Sequence, residues 1–84
     1  MTYDIIFSDL SFKQLKKLDR GLQERIIKAL ERIRIRPEVY VTKLVGDPGY
    51  RLRVGDYRVI MDIKGKSLRI LILKIGHRKN IYDL

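Results

Sequence analysis

Three observations predict an α+β fold, with a helical hairpin packed on a mainly antiparallel, curved sheet in the order β-α-α-β-β-β. Apolar residues recur at helical spacing from Phe12 to Ile33. Apolar and polar residues alternate from Tyr50 to Ile63 around Gly55-Asp56, a two-residue hairpin signal. A strongly apolar run, Leu68 to Ile75, completes the sheet. At 84 residues the chain is expected to form one domain spanning 1–84, with a modest core.

Strand one is expected over residues 2–7, with Tyr3, Ile5 and Phe7 on one face. Ser8 or Asp9 then caps a helix on which Phe12, Leu15 and Leu18 form an apolar stripe. Asp19-Arg20-Gly21 interrupts it. The second helix carries Leu22, Ile26, Ala29, Leu30 and Ile33, and Pro37 stops it because the residue before proline avoids helical geometry. The connection is short, so the two helices are expected to run antiparallel, with both stripes in the core. Glu38 to Gly49 reads as a loop or short edge segment with a turn at Asp47-Pro48-Gly49.

The Gly55-Asp56 turn fixes the register of the following hairpin: Val54 faces Tyr57, Arg53 faces Arg58 and Leu52 faces Val59. Tyr50, Leu52, Val54, Tyr57, Val59, Met61 and Ile63 then share the core side, while Arg51, Arg53 and Arg58 share the other. Like charges directly opposed across a sheet are destabilising, so an anion, phosphate above all, is the expected occupant. A second tight turn at Lys64-Gly65-Lys66-Ser67 sets Asp62 opposite Arg69 and brings Ile60, Leu71, Leu73 and Ile75 onto the arginine side. Either the chain's own tail or a partner polypeptide covers that apolar strip. Gly76 breaks the last strand, and the closing eight residues form an irregular or short helical tail.

Composition narrows the partners. The chain has no cysteine and a single histidine, His77, which excludes disulfides and thiolate metal sites and argues against a dedicated zinc centre. No signal peptide is visible before Tyr3-Asp-Ile-Ile-Phe7, and the last apolar run, broken by Arg69 and Lys74, is too short to span a bilayer. A cytoplasmic protein without a membrane partner is expected. The net charge of +9 points to a polyanion. Residues 50–84 hold +6 of it, nine Lys/Arg against three Asp.

A curved sheet brings the arginines beside His77, Arg78, Lys79, Asn80, Ile81 and Tyr82. RNA carries its own nucleophile, the 2′-OH beside the scissile phosphate. Cleavage then needs a base, cations around the phosphorane and a proton donor for the leaving 5′-oxygen. Arginine suits the second task but is a poor proton donor. Tyr82 serves as a base only if nearby arginines lower its pKa, and His77 is the conventional acid or base near neutrality. The bland alternatives are a packed Tyr82 and a His77 that merely caps the strand end.

Taken in order, the strand–helical-hairpin start, Lys43-Leu44-Val45-Gly46, Tyr50-Arg-Leu-Arg53, Gly55-Asp56-Tyr57-Arg58-Val59 and Ile75-Gly76-His77-Arg78-Lys79-Asn80-Ile81-Tyr82 resemble the RelE/ParE superfamily of toxins from toxin–antitoxin pairs. The likeness is to its RelE branch and covers essentially the whole chain. It implies a metal-independent endoribonuclease that needs no cofactor, cuts mRNA in the ribosomal A site and is blocked by a RelB-like antitoxin. It also implies residue roles: Arg51, Arg53 and Lys43 bind RNA phosphate, Arg58 steadies the transition-state phosphate, Arg78 stabilises the leaving group, and Tyr82 activates the 2′-OH. The gap from Arg78 to Tyr82 is short and no long C-terminal helix follows, so His77 is the fallback for proton transfer. ParE members share the fold and inhibit DNA gyrase by binding, which makes gyrase the competing target. A third reading is a toxin that has lost activity and survives as a binding module.

Overall fold

The computed structural model describes residues 2–80. Strand β1 (Asp4–Phe7) leads into helices α1 (Asp9–Lys16), α2 (Arg20–Ile33) and a short α3 (Pro37–Tyr40). Strands β2 (Thr42–Lys43), β3 (Tyr50–Val54), β4 (Tyr57–Lys64) and β5 (Arg69–His77) follow. They form one five-stranded sheet in the order β1-β5-β4-β3-β2. Among the described residues only the β1–β5 pairing is parallel. The α+β class expected from the sequence is therefore observed; β2 is the short edge segment allowed for within Glu38 to Gly49, and α3 is an addition.

Local chemistry sets the helix ends. The Ser8 side chain accepts the Ser11 N–H, and the Asp19 side chain accepts that of Leu22 at 2.9 Å, each satisfying one orphan donor of a first turn. Asp19 thus starts the second helix, and Arg20 and Gly21 lie inside it. Pro37, expected only as a stop, sits in the first turn of α3, where its missing N–H costs nothing. The Arg34 guanidinium ties the end of α2 to β1, donating to the Tyr3 carbonyl and to Glu31 at 2.8 Å each. The Glu31 bond, above all, raises the arginine's pKa further.

Leu15, Ile26, Leu30 and Ile33 of the helices pack against Leu52, Val54, Val59, Met61, Ile70, Ile72 and Ile75 of the sheet. Phe12 departs from its expected place in this core. It is 51% exposed, because Leu15 and Ser11 take the buried face of α1. Its ring instead meets Phe7 edge-on and lies under the Lys16 ammonium.

The β3–β4 register is the one predicted, with Arg53 opposite Arg58. Gly55 has φ +58°, placing positive φ at the first central position, as a type II′ turn requires. The β4–β5 register departs in two ways. The turn spans residues 65–68, with Leu68 at φ 53°, so Lys64 faces Arg69 and Asp62 faces Leu71. Asp62 pairs with Lys64 at 3.0 Å instead of Arg69. A bulge then intervenes: Met61 faces Ile72 but Ile60 faces Lys74, leaving Leu73 unopposed. Beyond it the phase reverses. Ile75 faces Val59 and is 2% exposed in the core, not on the arginine side, while Lys74 and Gly76 move to that side.

The bulge has its own support. β1 ends at Phe7, opposite Ile72, and α1 supplies the hydrogen bonds that a longer strand would have made. Ser8 Oγ donates to the Leu73 carbonyl at 2.9 Å and Ser11 Oγ to the Ile72 carbonyl at 2.8 Å. The Ile75 N–H donates to Gln14 Oε1 at 2.7 Å. Gln14→Leu orphans that half-buried N–H and is expected to lower stability by about 1–3 kcal/mol. Gln14→Glu keeps an acceptor and should lose less. Urea denaturation of the two variants checks this, and equal stabilities would contradict it.

Candidate nucleic-acid interface

Alternation sends Arg51, Arg53 and Arg58 to the face of the sheet away from the helices, and the structure brings them together. They line one depression of about 250 Å³, together with Tyr40 and Thr42. Its floor is ladder geometry. Thr42 faces Arg51, Arg51 faces Ile60 and Arg53 faces Arg58, while Gly76, with no side chain, faces Arg58 from β5.

The three arginines differ in exposure. Arg53 is exposed, Arg51 half-buried, and Arg58 only 9% exposed. Arg58 Nη1 donates to the carbonyls of Gly55 at 3.3 Å and Tyr57 at 3.1 Å. The turn thus holds its own phosphate-binding candidate in place. Arg25 of α2 presses on the same turn, its Nη2 3.1 Å from where a Cβ at residue 55 would lie.

Not every expected residue joins this face. Lys43 faces Tyr50 across the edge ladder, and Thr42 rather than Lys43 lies opposite Arg51. Lys43 reaches the rim, where it lines a neighbouring depression of about 320 Å³ with Thr42 and Arg51. His77 pairs with Tyr57 on the helix-covered face, the two rings meeting edge-on at 5.5 Å. The phase reversal at the bulge is what sends it there. Its Nδ1 accepts the Lys79 N–H at 3.2 Å. Arg78 is exposed, and its backbone N–H donates to the Asp56 carbonyl at 2.8 Å. That bond pins the chain after β5 to the end of the sheet where Arg53 meets Arg58. Tyr82 and Ile81 lie outside the described residues.

Sequence reasoning missed Tyr40 and Thr42. The available signals were Pro37, which suits a first helical turn, and the extended pair after it. The apolar strip beside the arginines is partly covered by the chain itself. Ile60 is 4% exposed, under the loop of residues 44–49, where Leu44 donates its N–H to the Gly49 carbonyl at 3.0 Å. Leu73 remains 40% exposed. Among the described residues no helix is long and apolar enough to cross a membrane.

The mixed five-stranded sheet with helices on one face is the fold of solved RelE toxins. The model of the ParE toxin family of type II toxin–antitoxin systems matches residues 5–82, and the chain belongs to that family, within the RelE/ParE superfamily. The mRNA interferase toxin RelE of Escherichia coli K12 is 24% identical over 94% of this chain and 86% of its own length. The structure of the archaeal RelE–RelB complex from Pyrococcus horikoshii OT3 contains a chain 33% identical, with a TM-score of 0.79 over 93% of this chain and 97% of that one. The RelBE2 toxin–antitoxin complex of Mycobacterium tuberculosis contains a chain of the same fold, with a TM-score of 0.85 at 21% identity over 93% of this chain and all of that one.

Proposed function

We propose that this toxin is a metal-independent endoribonuclease that cuts mRNA in the ribosomal A site. The observation that carries the reading is the convergence of Arg51, Arg53 and Arg58 on one depression. Three guanidiniums lining one depression suit a phosphorane with growing charge and the phosphates on either side of it. In this reading the 2′-oxygen attacks phosphorus and the bond to the 5′-oxygen breaks, leaving a 2′,3′-cyclic phosphate and a 5′-hydroxyl. Arg58 steadies the phosphorane, Arg51, Arg53 and Lys43 hold flanking phosphates, and Arg78 stabilises the departing 5′-oxygen, which takes its proton from water. Tyr82 accepts the 2′-OH proton. His77, turned towards Tyr57, needs a rearrangement to take that part. The names of the mRNA interferase relatives support the activity.

The toxin works in the cytoplasm, where mRNA and ribosomes are, and a RelB-like antitoxin restrains it. Support for the antitoxin comes from the similar structures, several of which are RelE–RelB complexes. A ParE-like reading, inhibition of DNA gyrase by binding, is favoured by one observation, the match to the ParE family model.

One pair of assays separates them: purified protein with programmed ribosomes, and with gyrase and supercoiled DNA. Cleavage within the A-site codon, with gyrase unaffected, is the expected result. Intact mRNA together with blocked supercoiling would transfer the assignment to gyrase.

A further inference from the structure

We propose that Tyr40 is a base-stacking residue of the arginine site, so that its ligand is single-stranded RNA held by ring and phosphate together. The inference rests on the nuclease reading and adds a recognition element to it. Tyr40 ends α3 and lines the same depression as Arg51, Arg53 and Arg58. Its side of the depression is fixed from below: Pro37 at the start of α3 is fully buried, while Tyr40 itself is 46% exposed. The fold anchors the helical turn through the proline and leaves the ring at the rim.

An exposed aromatic ring beside converging guanidiniums is the combination that binds single strands. The cations track phosphate and the ring offers a face on which an unpaired base stacks. A duplex keeps its bases stacked on one another and cannot use the ring. An acidic peptide satisfies the arginines but gains little from the ring. Thr42, opposite Arg51 in the ladder, adds a hydroxyl at the edge of the same depression, within the class of groups that bond sugar and phosphate oxygens.

The test uses the full-length protein and a short fluorescent oligoribonucleotide made uncleavable by 2′-O-methylation. Tyr40→Ala is expected to weaken binding about 5- to 150-fold, the ratio that corresponds to losing one stacked base. Tyr40→Trp and Tyr40→Phe should retain it. The slope of log affinity against log salt should stay unchanged in Tyr40→Ala, because stacking releases no counterions. In Arg53→Ala the slope should shrink by about 0.7 for each phosphate that the arginine neutralises in the wild type. An abasic oligonucleotide should bind Tyr40→Ala and the wild type alike.

If Tyr40→Ala binds RNA as tightly as the wild type while Arg53→Ala does not, the stacking role is overturned and the arginine site survives. If neither substitution matters, both readings fall. A polyglutamate peptide bound with the same Tyr40 dependence would overturn the RNA assignment in favour of an acidic polypeptide.

Discussion

Arg58→Ala is expected to slow mRNA cleavage on programmed ribosomes by about 10²–10³-fold, the range for removing one preorganised donor from a developing oxyanion. The size of the effect follows from how the residue is held. The residue is only 9% exposed, and its guanidinium is bonded to the Gly55 and Tyr57 carbonyls. A charge fixed in a partly dry site interacts more strongly with developing negative charge than one free in solvent. Arg58→Lys should recover only a small part, since an ammonium cannot use the planar fork that reaches carbonyl and phosphate together.

Folding is a necessary control. Losing Arg58 removes its opposition to Arg53, worth tenths of a kcal/mol, and also removes two bonds to the turn. The lost bonds outweigh the relieved repulsion, so the variant should melt below the wild type, and cleavage is compared at a temperature where both are folded. Undiminished cleavage by a folded Arg58→Ala variant would refute the proposed role.

The β3–β4 hairpin was legible because everything that fixes it is local. A two-residue turn with glycine at its first position sets the register, and alternation then places Arg51, Arg53 and Arg58 on one face. The β5 bulge was not legible, because its cause lies some sixty residues upstream in Ser8, Ser11 and Gln14. Within Leu71-Ile72-Leu73-Lys74-Ile75 apolar residues fill both phases, so alternation cannot reveal where the phase changes. The 65–68 turn misled for a different reason: it holds Leu68 at φ 53°, a conformation bulky residues seldom adopt. That error moved the register by two residues and left the faces intact. The bulge moved it by one and turned His77 away from the arginines. Tyr40 escaped because a four-residue helix carries too few residues for a period to show.

Ile75→Ala is expected to cost about 2–5 kcal/mol, the range for truncating a buried isoleucine, and Leu73→Ala less than about 1 kcal/mol. An unbroken alternation puts both residues on the arginine face and removes the contrast. The bulge makes the difference: Ile75, opposite Val59, is 2% exposed within the core cluster, whereas Leu73 is 40% exposed. Urea denaturation of both variants measures the contrast, and for a domain of this size each kcal/mol should move the melting temperature by roughly 4–8 °C.

More than stability depends on this phase. It puts Gly76 rather than a bulky side chain across from Arg58, and so keeps β5 from filling the depression that the guanidinium lines. An Ile75→Ala variant no less stable than Leu73→Ala would place the end of β5 one residue out of step. The open strand position beside Arg58 would then be lost, and with it the geometric basis for a phosphate at that arginine.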